Sequence, residues 1–313
     1  KGKDKTVVIV GVDVTGFNYS LINEIKQIIY KKRNIPPSAI LINASHTHFA
    51  PVTQAWLAWA EYYHAPDTNY LNIAKKGVIR SIELALDNLS ESTIYFGRGS
   101  SNIGLNRRST PEVEKPQDKT LDVLKIEDIN KKLKSVLFLT GCHPVFKNEG
   151  EEAFILDANY PGVAKKLIEE RTNTSNAIFI QGCGGDVNPR DESHIKTGQD
   201  LTADVLDVLN KDMTKLSGDI SYSFDEILIP VKPMSIDEVN QFKISNSNKP
   251  GDLEAEKNVR WADIMLNNYK TGQVPKTLPL YVQTINIGDW KFVGLSREVV
   301  NEYGPAIRKI WPE

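Results

Sequence analysis

At 313 residues, with 40% hydrophobic and 25% charged side chains, the chain is long enough to bury a substantial core and too ordinary in composition for a disordered or fibrous protein. Its 38 basic and 40 acidic residues leave a net charge of -2, which removes any general electrostatic drive toward nucleic acid or anionic lipid. No apolar run approaches the roughly 18 residues of a membrane span, and the opening Lys1-Gly2-Lys3-Asp4-Lys5 has no cleavable signal pattern. One α/β domain over 1–313 is expected.

In chain order, the β-branched run at 6–14 predicts a buried strand, and 18–33 follows with helical spacing of Leu21, Ile22, Ile25 and Ile28 or Ile29. Ile35-Pro36-Pro37 ends that helix, and Ile40-Leu41-Ile42 makes a second strand, so a strand-helix-strand crossover is expected with ligands at the strand ends. Further helices are expected at 67–89, 160–171 and 197–216, with a helical hairpin at 236–268. Strands are expected at 94–97, 121–126, 134–139, 177–180, 222–229 and 280–287, with a strand-turn-helix over 290–310. The polar stretch 97–119 reads as a loop, and 181–190 as a glycine-rich turn. Mixed β-sheets flanked by helices, a layered α/β sandwich, is the fold class this order predicts.

Three turns that follow apolar strands carry candidate chemistry. Ser45-His46-Thr47-His48 puts two imidazoles two residues apart, on one side of an extended chain. A metal ligand with a neighbouring helper fits this pattern, and so does a pair of surface histidines. Gly141-Cys142-His143-Pro144 holds a third imidazole beside a rigid proline; a ligand and a buried histidine bonded to a carbonyl both fit. Gln181-Gly182-Cys183-Gly184-Gly185-Asp186-Val187-Asn188-Pro189 lets backbone N–H groups approach an oxyanion or phosphate, or is a tight turn with Asp186 bonded to nearby backbone. Cys142 and Cys183 are too few for a disulfide scaffold; as neighbours they would form a bridge or two small buried thiols. Trp56, Trp59, Tyr62 and Tyr63 are candidates for an apolar or sugar-stacking wall or for core packing, while His64 and His194 are expected at the surface.

Taken together in this order, the segments SHTHFAP, NRRS, GCHP, DANYPG and GCGGDVNP resemble the neutral (non-lysosomal) ceramidase family over nearly the whole chain. The family's T-H-T-H-S-G-P is matched by Ser45 to Pro51, its Asn-Arg by Asn106-Arg107, its His-Pro by His143-Pro144 and its G-D-V-S-P by Gly185 to Pro189. Its Gly-Glu near the end is matched at Glu298, within Phe292-Val293-Gly294-Leu295-Ser296-Arg297-Glu298. The resemblance implies a zinc site held by His46, His143 and Glu298, with a tyrosine as the family's fourth ligand. It also implies metal-activated water attacking a carbonyl, with Arg107 and His48 steadying the oxyanion or exchanging protons and the Gly184-Gly185-Asp186 turn shaping the pocket. Two imidazoles and a carboxylate around an open position suit catalytic zinc on chemical grounds as well, although iron or manganese accept the same donors.

The chain departs from the family at named positions. The serine of G-D-V-S-P is Asn188, which cannot form an acyl-enzyme. The aspartate before the Pro-Gly turn is Asn159, with Asp157 two residues earlier, and bulky residues replace the glycines after the H-T-H motif. Parts of the family's terminal segments and its immunoglobulin-like domain are expected to be missing, leaving Tyr303 or water as the fourth ligand. The leading expectation is therefore a secreted or periplasmic zinc-dependent hydrolase cleaving the amide of a small-molecule, lipid or glycan substrate such as an N-acyl lipid or N-acyl sugar. A hydrolase of carbohydrates or esters and a catalytically silent binding protein are the alternatives.

Overall fold

The computed structural model describes residues 2, 5–55, 58, 66–146, 155–174 and 176–312. Its centre is a five-stranded sheet in which β7 (Ala177–Gln181), β6 (Leu133–Thr140), β5 (Thr120–Asp128), β3 (Ser92–Ser100) and β9 (Thr214–Lys215) lie side by side in that order. The β6–β7 pair is parallel and the other pairs are antiparallel.

Alternation along these strands assigns their two faces. Leu121 and Val123 of β5, Val136 and Phe138 of β6, and Ala177 and Phe179 of β7 face one way. There they bury against Tyr160, Ala164 and Ile168 of α3 (Asn159–Thr172) and Leu201, Val205 and Val208 of α4 (His194–Leu209). The intervening Leu124, Leu137 and Ile180 pack with Leu41, Ile285, Trp290 and Phe292. The last three belong to an antiparallel sheet of β10 (Ile220–Pro230), β11 (Thr277–Ile287) and β12 (Trp290–Leu295). Each side chain of this size contributes about 1.5–3 kcal/mol when fully buried, so both faces hold the central sheet.

The first crossover forms as expected. β1 (Val8–Val12) and β2 (Ile40–Ala44) pair in parallel, joined through α1 (Tyr19–Arg33). Ile25 and Ile29 of α1 pack with Val78 and Ile82 of α2 (Thr68–Asp87) around Ile40. Asn43 ties β2 to β7, its Nδ2 donating to the Gln181 carbonyl (3.1 Å) and its Oδ1 accepting from the Gln181 N–H (2.8 Å). The expected helical hairpin is α5 (Ile236–Ser247) and α6 (Leu253–Thr271), and α7 (Tyr303–Ile310) closes the chain.

Four expectations are corrected. The strand expected at 94–97 runs on to Ser100, because Gly97 and Gly99 give room to Val208; a Cβ at Gly99 would lie 2.4 Å from that side chain. These glycines seat α4 on the sheet and make no turn. The helix expected at 197–216 begins at His194, where the Ser193 hydroxyl accepts from Lys196 N–H, and ends at Leu209 so that Thr214–Lys215 can pair with β3. The expected loop 97–119 and the glycine-rich turn also each contain a short strand. These are β4 (Gly104–Asn106) and β8 (Val187–Pro189), paired antiparallel with Leu105 opposite Asn188.

Candidate metal centre

Three strand ends converge on one point. Beyond β2 the parallel pairing continues into the turn, where Ser45 N–H donates to Val12 O (2.8 Å) and His46 N–H to Val14 O (3.0 Å). His46 then takes φ +66°, a left-handed conformation rare for a residue of its size. Its Nδ1 sits 2.6 Å from the Thr15 carbonyl. Since a carbonyl only accepts, Nδ1 carries the proton and Nε2 keeps its lone pair.

His143 is held in the same way. It follows β6 and is 2% exposed, its N–H donates to Val187 O (2.8 Å), and its Nδ1 lies 2.7 Å from Gly184 O and 3.2 Å from Val187 O. Tyr160 Oη (2.6 Å) and Gln181 Nε2 (2.9 Å) both donate to the Cys142 carbonyl, fixing the turn before it. The bonding of ligand imidazoles to carbonyls through the far nitrogen is a recurrent feature of metal sites.

Glu298 arrives from beyond β12, next to Arg297 at φ +74°. Its Oε1 lies 3.6 Å from His46 Nε2 and its Oε2 3.5 Å from His143 Nε2. His48 Nε2 is 3.4 Å from His46 Nε2, and the ligating atoms of the three histidines all lie within 4.8 Å of one another. Donors about 2.0–2.1 Å from a tetrahedral zinc stand roughly 3.3 Å apart, so this spacing suits an ion of that size. The facing imidazoles of His143 and then His46 hold the Glu298 carboxyl far below the usual carboxylate range. Burial lowers the His46 pKa, but the facing Glu298 carboxylate and the Thr15 carbonyl outweigh it and leave the net shift upward. His48 is pushed down to about 4, first by the loss of water around it and then by the two neighbouring imidazoles.

The glycine-rich turn brings these loops together. A Cβ on Gly185 would lie 2.6 Å from the Glu298 carbonyl, one on Gly184 2.7 Å from Cys142 N, and one on Gly141 2.5 Å from Cys183 O. Gly182 N–H donates to Thr140 O (3.0 Å) and Gly185 N–H to Val299 O (2.8 Å), so both serve the chain itself. Asp186 is buried, with Oδ1 accepting from Asn301 N–H (2.8 Å) and Oδ2 from Asn301 Nδ2 (2.8 Å) and Asn106 Nδ2 (3.1 Å). Burial raises the pKa of this carboxyl, but those hydrogen bonds outweigh it and hold the group below its ordinary value.

Arg107 is exposed, its Nη2 donating to Gly185 O (2.7 Å) and its N–H to Asp186 O (2.8 Å). Asn188 Oδ1 is buried without a hydrogen-bond partner among the described residues. Tyr303 opens α7 with 53% of its surface exposed, while the third imidazole in the cluster is His48. The two cysteines are free thiols; burial raises both, Cys183 to about 11. His194, expected at the surface, is half-buried, its Nε2 3.6 Å from Asp157 Oδ2 and its ring against Phe146. Asp157 also accepts from Asn159 N–H through Oδ1 (2.6 Å) and from the Thr47 hydroxyl through its carbonyl (2.8 Å), tying the histidine turn to α3. Trp56, Trp59, Tyr62, Tyr63 and His64 lie outside the described residues.

Sequence reasoning missed Thr15 and Asn301. The first acts through a backbone carbonyl, which any residue supplies, and the second shows only as one asparagine after Glu298. Beside the cluster a cavity of about 800 Å³ opens, lined near the histidines by His46, His143, Gly184 and Glu298 and farther away by Phe96, Trp290 and Lys26.

No family model matches the chain, and no curated protein matches it. Among solved structures it is similar to the neutral ceramidase from Pseudomonas aeruginosa, with TM-score 0.70 and 16% identity over 96% of this chain and 55% of that one. It is also similar to a ceramidase complexed with C2, with TM-score 0.71 and 16% identity over 96% and 56%. The fold is therefore ceramidase-like, and the chain spans about half the length of these structures. Among the described residues no helix is long and apolar enough to cross a membrane.

Proposed function

We propose that the protein is a zinc-dependent hydrolase that cleaves an amide, of an N-acyl lipid or N-acyl sugar, at the His46–His143–Glu298 centre. One observation carries this reading. Two imidazoles, each tied through Nδ1 to a carbonyl, turn Nε2 lone pairs toward the two oxygens of one carboxylate at the wall of a large cavity. Zinc in such a set supplies a Lewis acid that acidifies water and polarises a carbonyl.

The chain's own groups supply the rest. His48, neutral at pH 7, presents Nε2 beside that of His46 and can take and return a proton there. Arg107, anchored by Gly185 O, has further N–H donors to offer a developing oxyanion. Asp186 holds the Glu298 loop in position through Asn301. Asn188, which stands where ceramidases have serine, can hydrogen-bond a substrate but cannot carry an acyl group. The likeness to ceramidases favours an amide substrate, and the sequence resemblance favours a secreted or periplasmic setting.

Chelation and readdition of zinc, with hydrolysis followed on N-acyl lipids, N-acyl sugars, esters and glycosides, tests this reading. Zinc-dependent turnover of the N-acyl compounds is expected. Turnover confined to esters or glycosides would reassign the substrate, and full activity after chelation would remove the metal from the reaction.

A further inference from the structure

The cavity has a second polar feature, on α1. Tyr19, Ile22 and Lys26, spaced three and four apart, lie on one face of α1 and line the cavity together. Thr15, Gly16, Phe17 and Asn18 continue that lining back to the carbonyl that holds His46. From Tyr19 to Lys26 the helix climbs about 10 Å. The path between is aromatic: Tyr19 stacks on Tyr281 (4.2 Å between ring centres) and Phe224 on Tyr281 (5.7 Å).

Among the described lysines and arginines Lys26 alone is buried, at 7% exposure. Its ammonium has three N–H donors. It is given one long bond to Gln283 Oε1 (3.4 Å) and the face of Phe224 (5.1 Å), with no carboxylate paired to it among the described residues. Gln283 is itself fixed by donating to Ser38 O (2.8 Å). The other cations of the cavity wall are differently placed. Arg98 carries Asp122, Arg308 carries Asp118, Arg297 donates to Pro279 O, and Lys291 is less buried.

A buried ammonium is costly unless an anion meets it, and the cavity leaves space for one. We propose that this end of the cavity binds an anionic group, a carboxylate or a phosphate, at the terminus of an apolar chain. The occupant is then an amphiphile whose charged end sits on Lys26 while its other end reaches toward the imidazole cluster. As a description of the substrate, this rests on the hydrolase reading above. Burial lowers Lys26 to about 8, the state expected of an ammonium that lacks its counter-ion.

Binding of dodecanoate, dodecyl phosphate and neutral dodecanol, measured calorimetrically, tests the site without requiring turnover. Wild-type protein is expected to prefer the anionic probes over dodecanol by roughly ten-fold or more, the size of a charge-assisted hydrogen bond. K26M should lose that preference, while K26R and H143A keep it. Tighter binding of dodecyl phosphate than of dodecanoate assigns a phosphate, and the reverse a carboxylate. Preference that survives in K26M, or that vanishes in H143A and not in K26M, overturns the proposal; the latter result would put the anion at the imidazoles. Should K26M fail to fold, the Lys26 side-chain resonance of the wild-type protein substitutes for it. Dodecanoate should shift its titration upward, and an unmoved titration counts against the site. Failure of every amide to be hydrolysed would sink the hydrolase reading and leave this result standing.

Discussion

Two carboxylates on adjoining loops, Glu298 and Asp186, have opposite surroundings. Asp186 is buried and spends both oxygens on Asn301 and Asn106, while Glu298 points its oxygens at two imidazole nitrogens without a hydrogen bond to either. The saturated carboxylate builds the site and the unsaturated one serves it. Asp186 fixes the backbone of Asn301, three residues past Glu298, and Asn106, beside Arg107.

Removing the Asp186 carboxylate and then a partner of Glu298 separates the two roles. D186A leaves the Asn301 N–H and Nδ2 donors without an acceptor and takes one of two from Asn106 Nδ2, and should cost about 3–5 kcal/mol, measured by urea unfolding, because each lost bond to a charged acceptor matters and the donors stay dry. An unfolding midpoint within error of wild type would mean that Asp186 does not build the site.

H143A should do the opposite. Metal affinity and zinc-dependent hydrolysis should fall by roughly a hundred-fold or more, read by metal titration and initial rates, with far less change in stability than D186A. Next in size is G185A, whose new methyl would collide with the Glu298 carbonyl. It should cost about 1–3 kcal/mol and weaken metal binding in the protein that still folds, since the carboxylate is displaced from the imidazoles. Normal metal affinity in folded G185A would mean that Glu298 is dispensable.

The smallest effect is on pH dependence. The Asp186 carboxyl is held below its ordinary value of 3.8, so its contribution to stability is complete above that pH and lost as pH falls through the lower, folded-state value. The stability gap between wild type and D186N should therefore be constant near neutrality and narrow below about pH 4. A gap that widens on acidification would mean that the carboxyl is protonated in the folded protein.

Much of this was legible in the sequence, for physical reasons that can be named. The alternation of Val136, Leu137, Phe138 and Leu139 places one residue on each face in turn, so strand and layering could both be read from it. The three histidine-bearing or glycine-rich turns could be placed after apolar strands, whereas the closeness of His46, His48 and His143, within 4.8 Å of one another, is a long-range fact that strand placement alone does not give. The strand's continuation to Ser100 was not legible because 97–119 is polar, and the role of Gly97 and Gly99 shows only once Val208 is in position. The β4–β8 pairing is long-range and only three residues long on each side, below what periodicity can detect. Glu298 stood out through its resemblance, whereas Asn301, equally necessary to the loop, had no pattern around it.

Crystals grown with zinc and measured across its absorption edge test the central claim most directly. An anomalous peak bonded to His46 Nε2, His143 Nε2 and a Glu298 oxygen is the predicted result. A zinc-saturated crystal with no peak among those three side chains, or with its peak elsewhere, would contradict it.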